Sequence, residues 1–416
     1  MKKLAKKIVV TKLGYQLRKL KQKNDFKVVA VVGSIGKTST KLAIARVLSS
    51  KYKVCYQDGN YNDIVTVPLI FFGQKLPSLF NPIAWLILLW NNKKQLRRKY
   101  PFDVVIIELG SDGPGQIAEF KQYLDIDIAV VTAIAPEHMA NFSSLDDVAR
   151  EELAVAGFSK SLLANADLCG EYIKRIPKLA SYGKNPSADF MLKPEGKNLI
   201  VTSKSTKIAQ IEDHELSGPE QYSLLAAAAV ANKLGMTPDE IKTGITNIKP
   251  VPGRMQKLGG INGSTIIDDT YNASPEATKL ALDTLYKAEA PQKIAVLGNM
   301  NEMGEMSEAV HKEVGSYCDP KQLDLVITIG PDANLFLAPA ASAKGCKVEM
   351  FNSPYNAGTA LKPLIKKGAL ILFKGSQNGV FAEEAVKILL ADPTDGQKLV
   401  RQSPDWMAIK QKAFGE

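Results

Sequence analysis

The stretch "VVGSIGKTST", residues 31–40, restricts the fold of this chain more than any other part of the sequence. It follows an apolar run and combines glycines with a Gly-Lys-Thr-Ser-Thr sequence. A P-loop needs such glycines because backbone N–H groups must surround phosphate oxygens at the start of a helix. Its lysine then reaches the outer phosphates, and its hydroxyl binds Mg²⁺. The stretch therefore predicts a strand, a phosphate-binding turn and a helix, with Lys37 and Thr38 in the last two roles.

The predicted loop is shorter than the usual P-loop. Gly33 lies four residues before Lys37, and Val31 stands where the usual first glycine would be. A chance Gly-Lys-Thr after a strand is the alternative, and the strand–turn–helix context argues against it. The residues expected to bind phosphate are Gly33, Ser34, Gly36, Lys37, Thr38 and Ser39.

Apolar runs beyond the P-loop predict a sheet with helices between its strands. "DVVIIELG" (103–110) and "DIAVVTAIA" (127–135) are strand-like, which is typical of an α/β domain with a largely parallel sheet. "KPVPGR" interrupts the pattern near residue 250, and further strands alternate with helices after it. The predicted fold is α/β, with a central P-loop domain over 25–249 and a Rossmann-like α/β domain over 250–416.

Composition limits the class of protein. The 416 residues are 45% hydrophobic and 23% charged, as in ordinary globular proteins. The four cysteines are far apart and form no metal-type pair, so we expect reduced thiols in a cytoplasmic protein. No signal peptide is evident. The longest apolar run, "IAWLILLW" (83–90), is shorter than the roughly 20 residues that a membrane-spanning helix needs.

The positive charge of the chain is concentrated at its start. Residues 1–24 carry nine Lys or Arg and no acidic residue, whereas the rest holds 44 basic and 43 acidic residues. A uniformly basic nucleic-acid-binding protein would not have this distribution, and only the N-terminal charge favours such binding, so no nucleic-acid partner is expected. Residues 1–24 and 80–100 either contact an anionic membrane surface or pack on the central domain. One face of the predicted N-terminal helix is apolar: Val10, Leu13, Leu17 and Leu20.

Polar residues follow the predicted strands of the central domain. Glu108 ends the strand in "ELGSDGPGQI", at the edge where open α/β sheets bind ligands, and it can share Mg²⁺ with Thr38. His138, in "APEHMANF", follows the next strand, and Glu152 comes fourteen residues later on a predicted helix. These two residues can share a second metal ion. The alternatives are a solvated carboxylate at Glu108 and a structural histidine at His138.

The second domain has its own strand-end polar residues. Arg254, in "PGR", suits a phosphate. Asp268 and the residue after it end a strand before a Tyr-Asn-Ala turn, where acidic side chains suit ribose hydroxyls. Lys374 and Ser376, in "FKGSQN", can bind a carboxylate or a phosphate. Each of these signals is weak when taken alone.

The order of the motifs is more specific than any single motif. GxxGKTST is followed by "GNYN", "ELGxxxxG", a His-containing loop, "PVPGR", "IDDTYNASP", "LGNMNEMGEMS…H" and "KGS". From about residue 27 to the C-terminus this order resembles the Mur ligase family. "DDTYNASP" and "GNYND…VPL" resemble the branch that adds D-alanyl-D-alanine to a muramoyl tripeptide. The resemblance implies a three-domain architecture and ATP-dependent amide-bond formation through an acyl phosphate, for peptidoglycan precursor synthesis.

The resemblance also implies roles for particular residues. Lys37 would grip the β- and γ-phosphates, Thr38 and Glu108 would hold one Mg²⁺, and His138 with Glu152 a second. The implied residues near the reaction are Lys37, Asn60, Asn62, His138, Glu152 and Lys374. Those implied at the nucleotide in the C-terminal domain are Arg254, Asp268, Tyr271 and Asn272, and those at the incoming substrate are Ser376 and His311.

The sequence departs from the family pattern in several places, including Gln377 where an arginine is common and Asn299 where an aspartate is. Glu152 stands where the family has a carbamylated lysine, with Glu151 as a neighbouring candidate. "GPEQYSLLAA" (218–227) replaces a helix start that usually contains His-Asn, and only the basic segment precedes the P-loop where the family has a UDP-sugar domain. Two alternatives therefore stay open: a related ligase with another acceptor, as in folate or polymer glutamylation, and a nucleotide-binding scaffold. We expect a cytoplasmic monomer, at the inner face of the membrane if the basic segment binds lipid.

Overall fold

The computed structural model describes residues 2–57, 61–78, 81–174, 176–177, 179–196, 198–212, 218–246 and 251–415. The chain forms two compact units. The first contains residues 1–135, 141–216 and 221–248, and the second contains residues 136–140, 217–220 and 249–416. The predicted domain boundary, between 249 and 250, falls in a stretch outside the described residues.

The first unit contains a nine-stranded sheet. Its strands are β1 Lys27–Val32, β2 Val54–Cys55, β3 Val104–Glu108, β4 Ile126–Val131, β5 Ser159–Asn165, β6 Leu179–Gly183, β7 Phe190–Glu195, β8 Asn198–Ser203 and β9 Thr206–Glu212. Their spatial order is β2-β3-β1-β4-β5-β6-β7-β8-β9. Neighbours are parallel from β2 to β7, whereas β7–β8 and β8–β9 are antiparallel. The predicted, largely parallel sheet is therefore confirmed, and the antiparallel edge is an addition that the sequence did not indicate.

Helices cover both faces of this sheet, as a parallel sheet requires. They are α1 Lys2–Lys23, α2 Lys37–Leu48, α3 Val67–Phe71, α4 Pro82–Gln95, α5 Gln116–Glu119, α6 Leu145–Leu153, α7 Ala166–Cys169, α8 Gly218–Lys233 and α9 Pro238–Thr246, with short 3₁₀ helices at Phe120–Gln122, Ala154–Phe158 and Gly170–Ile173. Alternate residues of β1 enter two different cores. One core includes α1, α3 and α4, and the other includes α2, α8 and α9.

The basic N-terminal helix α1 is part of the first unit. Its predicted apolar face is buried in the core on one side of the sheet. Gly14 allows close contact there, because a Cβ atom at this position would lie 3.1 Å from the Cβ atom of Tyr123. The interpretation that residues 1–24 pack on the central domain is thus confirmed for this face. The buried residues are Val10, Leu13, Leu17 and Leu20.

The second unit is a six-stranded α/β sheet, as predicted. Its strands are β10 Gln256–Gly259, β11 Thr265–Asp269, β12 Lys293–Gly298, β13 Leu325–Ile329, β14 Val348–Phe351 and β15 Leu370–Lys374. Their order is β10-β11-β15-β12-β13-β14, and only the β10–β11 pair among these is antiparallel. Because β11, β12 and β15 are parallel, the polar loops that follow them meet at one edge of the sheet.

Helices flank this second sheet. They are α10 Pro275–Lys287, α11 Ser307–Tyr317, α12 Ala338–Ala343, α13 Pro354–Leu361, α14 Glu383–Leu389 and α15 Pro404–Phe414, with short 3₁₀ helices at Ile261–Gly263, Gly304–Met306, Lys362–Leu364 and Pro393–Lys398 and a π-helical turn at Ala333–Leu337. Two apolar cores lie on the two faces of the sheet. The architecture is therefore the Rossmann-like layering that the alternating strands and helices predicted.

Two global expectations can be compared with the structure. In the part of the chain that the structure describes, no helix has both the length and the apolar character needed to span a membrane. All four cysteines are free and buried. Burial raises the pKa of Cys55 to about 11 and that of Cys169 to about 12, so both thiols stay protonated at neutral pH.

Candidate active site

The turn between β1 and α2 has the backbone geometry of a phosphate-binding loop. Gly33 has a φ of +120°, and a Cβ atom there would clash with Thr132 Oγ1 and lie 2.8 Å from the backbone nitrogen of Ala133. Gly36, with a φ of +81°, precedes the first residue of α2. Both positions therefore need glycine, one for the close approach of the chain just after β4 and one for the left-handed backbone.

The side chains of this loop divide into two groups. Ser34 is buried, donates its N–H to the Ala133 carbonyl at 2.9 Å, and accepts the Ala135 N–H on Oγ at 3.0 Å. It therefore anchors the loop to the segment after β4. Lys37 and Ser39 are half-buried in the first turn of α2, where the helix N-terminus directs backbone N–H groups towards an anion. The structure thus places the predicted phosphate-binding residues in one loop and one helical turn.

Thr38 and Glu108 meet at the carboxyl end of the sheet, as predicted. Thr38 Oγ1 donates to Glu108 Oε2 at 3.0 Å. Lys41 Nζ lies 3.3 Å from the same carboxylate oxygen, and both charged groups are buried. Sequence reasoning missed Lys41, although its spacing of one helical turn from Lys37 was a usable signal. A buried carboxylate needs a compensating partner, and Lys41 supplies one.

The Thr38–Glu108 pair fits an Mg²⁺ ion. Mg²⁺ binds oxygen ligands, usually one or two carboxylates together with substrate phosphates and water. The pair offers a hydroxyl and a carboxylate oxygen beside the phosphate-binding loop. In the described residues, no three His, Cys, Asp or Glu side chains form a metal-binding group. An ion held here would therefore take its remaining ligands from phosphate and water.

Glu152 lies against the P-loop. Its Oε2 accepts the Gly33 N–H at 2.7 Å, from a side chain that is buried on α6. Glu151, the neighbouring candidate, points elsewhere: its two oxygens accept the N–H groups of Gly115 at 2.5 Å and Ile117 at 2.6 Å, at the start of α5. Of the two neighbouring candidates, Glu152 is therefore the one whose side chain contacts the P-loop. Its role as a metal ligand stays a prediction.

His138 belongs to the second compact unit, unlike Thr38 and Glu108. Its Nδ1 lies 2.9 Å from Glu302 Oε2, and its Nε2 lies 3.7 Å from Glu137 Oε1. The residue has a φ of +52°, a left-handed conformation that only a minority of non-glycine residues adopt. The imidazole is therefore placed between two carboxylates. Its predicted role at a second metal ion stays a prediction.

The polar turn at 58–63 is described only in part. Asn60 lies outside the described residues. Asn62 accepts the Gly110 N–H on its backbone carbonyl at 2.9 Å, and a Cβ atom on Gly110 would lie 2.6 Å from Asn62 Nδ2. The Asn62 amide thus lies beside the chain two residues after Glu108. Gly110 is needed there because any larger residue would displace this amide.

In the second unit, Lys374 is held by the turn after β11. Its Nζ donates to Asp269 Oδ2 at 2.5 Å and to the Asn272 carbonyl at 3.0 Å. Asp268 is fully buried, and its Oδ1 accepts the N–H and the hydroxyl of Thr270. Burial raises the pKa of Asp268 to about 6. Asp268 therefore shapes the turn in this structure, while Asp269, which the sequence analysis had placed with it at ribose hydroxyls, orients the predicted lysine. The contact of these residues with a ribose stays a prediction.

Arg254 and Tyr271 stack on each other. The guanidinium carbon lies 4.1 Å from the ring centroid, a cation–π arrangement that makes a flat cationic surface. Arg401 holds the same turn from behind, by donating to the carbonyls of Thr270 at 2.6 Å and Tyr271 at 3.0 Å. Arg401 also makes a bidentate pair with buried Glu383 at 2.7 and 2.8 Å. The sequence analysis assigned no role to Arg401, which lies in "LVRQSPDW".

Ser376 and His311 hold the loops at this edge of the sheet. Ser376 Oγ accepts the Asn301 N–H at 2.9 Å and donates to the Ala273 carbonyl at 3.2 Å. His311 is fully buried: Nε2 accepts the Met300 N–H at 3.0 Å, and Nδ1 lies 2.7 Å from the carbonyl four residues earlier. Burial lowers the pKa of His311, so the ring is neutral. Both residues position backbone in this structure, and their predicted direct contact with substrate stays a prediction.

These features define a class of protein. A P-loop with a threonine and a carboxylate at its metal position, followed by a second α/β unit with strand-end Lys, Arg and Asp residues, is typical of an enzyme that uses a nucleoside triphosphate on a second substrate. Comparison with known proteins narrows this class. Residues 31–235 match the Mur ligase middle domain, and residues 253–377 match the Mur ligase, glutamate ligase domain.

The chain belongs to the Mur ligase family. It is 30% identical over 394 residues to UDP-N-acetylmuramoyl-tripeptide–D-alanyl-D-alanine ligase of Escherichia coli, covering 90% of this chain and 79% of the relative. The Bacillus subtilis ligase of the same name is 27% identical over 387 residues, covering 88% and 76%. Among solved structures, MurF ligase from Thermotoga maritima in complex with ADP superposes with a TM-score of 0.74 at 25% identity, covering 91% and 83%.

Proposed function

We propose that this protein is an ATP-dependent ligase of peptidoglycan precursor synthesis that joins D-alanyl-D-alanine to the peptide carboxylate of a muramoyl peptide. The observation that carries the proposal is the Thr38–Glu108 pair at 3.0 Å beside the P-loop, in a chain related over 90% of its length to such a ligase. The proposed substrates are those given in the names of the related enzymes. The two units supply groups suited to phosphate transfer and to binding an anionic nucleotide or dipeptide.

The chemistry explains why a ligase of this kind needs ATP. A carboxylate is a poor acylating agent because its oxygen is a poor leaving group. Transfer of the γ-phosphoryl group to this oxygen gives an acyl phosphate and ADP. The dipeptide amine then attacks the acyl carbon, the C–N bond forms, the amine loses a proton, and the C–O bond to phosphate breaks. The protein must therefore neutralise crowded anions and align two substrates, which is mostly electrostatics and positioning.

The first unit would handle the phosphates. Lys37 and the N-terminus of α2 would face the β- and γ-phosphates, and the glycine turn would let backbone N–H groups approach them. Thr38 and Glu108 would hold Mg²⁺, which when bound neutralises phosphate charge during transfer. Glu152 fixes the Gly33 N–H at the start of the loop. Asn62, beside the carboxyl end of β3, would contact the reacting carboxylate.

The second unit would present the nucleotide base end and the incoming amine. Arg254 stacked on Tyr271 offers a flat cationic surface for the nucleotide. Lys374, oriented by Asp269, would bind the carboxylate of the dipeptide. His138, placed between two carboxylates, would take part in holding a second Mg²⁺.

The setting of the reaction is part of the same proposal. Free, buried cysteines fit a reducing compartment such as the cytoplasm, where ATP is available. All groups named above lie on one chain, so the proposed active form is a monomer. Attachment to the inner face of a membrane would rest on other residues, those of α1 and α4.

The direct test is phosphate release by the purified protein with ATP, Mg²⁺ and D-alanyl-D-alanine, with and without a muramoyl-tripeptide acceptor. We expect release only when both substrates are present, and a loss of at least about 100-fold in Lys37→Ala, because a cation that stabilises transferred charge is removed. Lys51→Ala is the matched control, since Lys51 pairs with Glu240 near the far end of α2. Its activity should equal that of the wild type.

Other outcomes would revise the proposal in defined ways. Release that requires a different amino acid would overturn the dipeptide assignment and keep the ligase chemistry. ATP binding without release, for every acceptor, would contradict the enzyme and favour a nucleotide-binding scaffold. A heavy-oxygen label in the acceptor carboxylate should appear in the released phosphate, because the phosphate that leaves the acyl phosphate carries one oxygen of that carboxylate. Its absence would exclude the acyl phosphate.

A further inference from the structure

One face of α4 exposes large apolar side chains. Ile83, Leu86, Ile87 and Trp90 recur at the spacing of a single helical face and are between 54% and 68% exposed. The opposite face, which includes Trp85, is buried in the core of the first unit. Contiguous apolar patches of this kind on a globular protein usually mark an interaction surface.

The helix α1 lies beside α4 and runs parallel to it. Gln16 Nε2 donates to the Leu89 carbonyl at 2.8 Å, and Asn92 Nδ2 donates to Gln16 Oε1 at 3.0 Å. About two turns further along α1, at its last residue, Lys23 Nζ donates to the carbonyl of Leu96, just past the end of α4, at 3.3 Å. Both helices bury their inner faces in the same core, so their outer faces point to the same side of the sheet.

The outer face of α1 also exposes apolar side chains. Ile8 and Tyr15 are about half exposed on it. We use the name α1–α4 face for the exposed apolar side chains of the two helices. These are Ile8, Tyr15, Ile83, Leu86, Ile87 and Trp90.

The two segments of the chain that contain this face carry charge of one sign. Residues 1–24 and 64–102 together contain fifteen Lys or Arg and no Asp or Glu, whereas the remaining chain contains 38 basic and 43 acidic residues. Several of the basic residues are exposed at the end of α4 and just beyond it, directly after the apolar stretch: Lys93, Lys94, Arg97, Arg98 and Lys99. The excess positive charge of the whole protein is therefore located beside its exposed apolar helices.

We propose that the α1–α4 face docks on an anionic lipid bilayer, with both helices lying in the plane of the interface. Helices with apolar and aromatic side chains on one side and Lys or Arg around them bind membranes in this way. Lys94 Nζ lies 3.3 Å from the centroid of the Trp90 ring, so the charged head lies over the aromatic group that would enter the headgroup region. Protein interfaces are depleted in lysine, which favours lipid over an acidic protein as the occupant.

The docking face is separate from the P-loop. The α1 and α4 helices pack on one face of the sheet, whereas the helix that follows the P-loop, α2, packs in the core on the other face. Substitutions of exposed residues on the α1–α4 face should therefore leave phosphate release unchanged. Removal of residues 1–24 is not a suitable test, because Leu13, Leu17 and Leu20 are core residues and the truncated protein would lose part of its core.

Co-sedimentation of the full-length protein with lipid vesicles tests the proposal. The vesicles are phosphatidylcholine alone or phosphatidylcholine mixed with phosphatidylglycerol. The apolar variant combines Ile83→Ser, Leu86→Ser, Ile87→Ser and Trp90→Ser. The charge variant combines Lys93→Gln, Lys94→Gln, Arg97→Gln and Arg98→Gln. The matched control combines Leu335→Ser and Met350→Ser, which removes two exposed apolar side chains from the second unit.

We expect the wild type and the control to bind the anionic vesicles and not the neutral ones, with weaker binding at high salt. The apolar and charge variants should each lower vesicle affinity at least about tenfold, because both apolar burial and lysine or arginine contacts contribute to such binding. All variants should keep the phosphate release of the wild type, which shows that they are folded. Trp90→Phe should remove a blue shift of tryptophan fluorescence that the wild type shows on vesicles.

Three results would overturn the proposal. Negligible vesicle binding by the wild type is the first, and equal binding to neutral and anionic vesicles is the second. The third is a stable dimer that the apolar variant converts to monomer, which would assign the face to a second copy of the chain. Vesicle binding without any phosphate release would leave the docking proposal standing and remove the proposed function, so the two can fail separately.

Discussion

The contact between Glu152 and the P-loop gives a quantitative prediction. Glu152 is buried and its Oε2 accepts the Gly33 N–H at 2.7 Å. Glu151, the next residue, is equally buried but accepts two N–H groups at the start of α5. Two adjacent carboxylates on one short helix therefore support two different loops. Glu152→Gln and Glu151→Gln are matched variants, because each removes one buried charge and keeps the size of the side chain.

The size of the effect follows from the strength of these hydrogen bonds. A hydrogen bond to a charged group stabilises a protein by about 1.5–3 kcal/mol, against about 0.5–1.5 kcal/mol for a neutral one. Glu152→Gln should thus cost about 1 kcal/mol, which lowers the melting temperature of a unit of this size by about 2–4 °C. Glu152→Ala also leaves the Gly33 N–H buried without its acceptor, so it should cost about 2–3 kcal/mol or more.

Thermal unfolding and amide hydrogen exchange measure both parts of this prediction. All three variants should melt below the wild type, with Glu152→Ala lowest. Faster exchange should appear in the peptide covering 31–40 for Glu152→Gln, and in the peptide covering 113–119 for Glu151→Gln, because local protection follows the lost bond. Exchange should be measured without nucleotide, so that ligand binding does not mask the difference.

Comparison of Glu152→Gln with Glu151→Gln distinguishes support of the P-loop by Glu152 from a role of Glu152 as a metal ligand. Unchanged melting and unchanged exchange at 31–40 in Glu152→Gln would refute the loop-support reasoning. If that variant instead kept the stability of the apo protein and lost the Mg²⁺ dependence of ATP binding, Glu152 would be a metal ligand. Equal exchange at 31–40 in both glutamine variants would show that the effect is not specific to the contact with Gly33.

Three further predictions concern other parts of the two units. Gly33→Ala should abolish nucleotide binding, because its Cβ would clash with the threonine hydroxyl after β4. The control is Gly73→Ala, which is also at positive φ but has open space around it, and it should cost only about 1–2 kcal/mol of stability. Equal nucleotide affinity in the two variants would contradict this prediction. The pKa of Asp268 is raised to about 6 by burial, so the stability it contributes is present below about pH 4 and is lost as the pH rises through 6. Asp268→Asn should therefore gain stability relative to the wild type between pH 4 and pH 7, by a few kcal/mol at most. Chemical unfolding at the two pH values measures this gain. An equal difference in free energy of unfolding between variant and wild type at pH 4 and at pH 7 would contradict the reasoning. Arg401→Ala should cost about 2–3 kcal/mol in thermal unfolding, because fully buried Glu383 loses its bidentate partner and keeps Lys410 Nζ, at 2.9 Å, as its remaining cationic partner. Arg401→Lys should recover only part of this, and a loss below about 1 kcal/mol would contradict the assignment.

The elements around the P-loop were predictable because their signals are local. The apolar runs that became β1, β3 and β4 are continuous, as in strands buried on both faces, and the Gly-Lys-Thr sequence fixes the turn and the start of α2. The antiparallel edge formed by β7, β8 and β9 was not predicted. Its strands are as long as the predicted ones, but polar residues interrupt their apolar runs, as in "FMLKPE" and "TKIAQIE", so their apolar pattern is weak.

The partners of the site residues could not be predicted, because they depend on the topology. The bond from Gly33 to Glu152 spans 119 residues, and the bond from Lys374 to Asp269 spans 105. Asp268 and Asp269 illustrate the difficulty on a smaller scale. Both are buried, but successive side chains of a strand point to opposite faces, so only one of the two meets the lysine, and the sequence does not say which.

The most direct test of the central claim is the identity of the product. The purified protein is incubated with ATP, Mg²⁺, D-alanyl-D-alanine and a muramoyl tripeptide, and the acceptor is analysed by mass spectrometry. We predict that the acceptor gains the mass of the dipeptide less one water, with one ADP and one phosphate formed per product, and that Lys37→Ala gives no product. ATP hydrolysis without any gain of mass by the acceptor, under conditions in which both substrates bind, would contradict the claim.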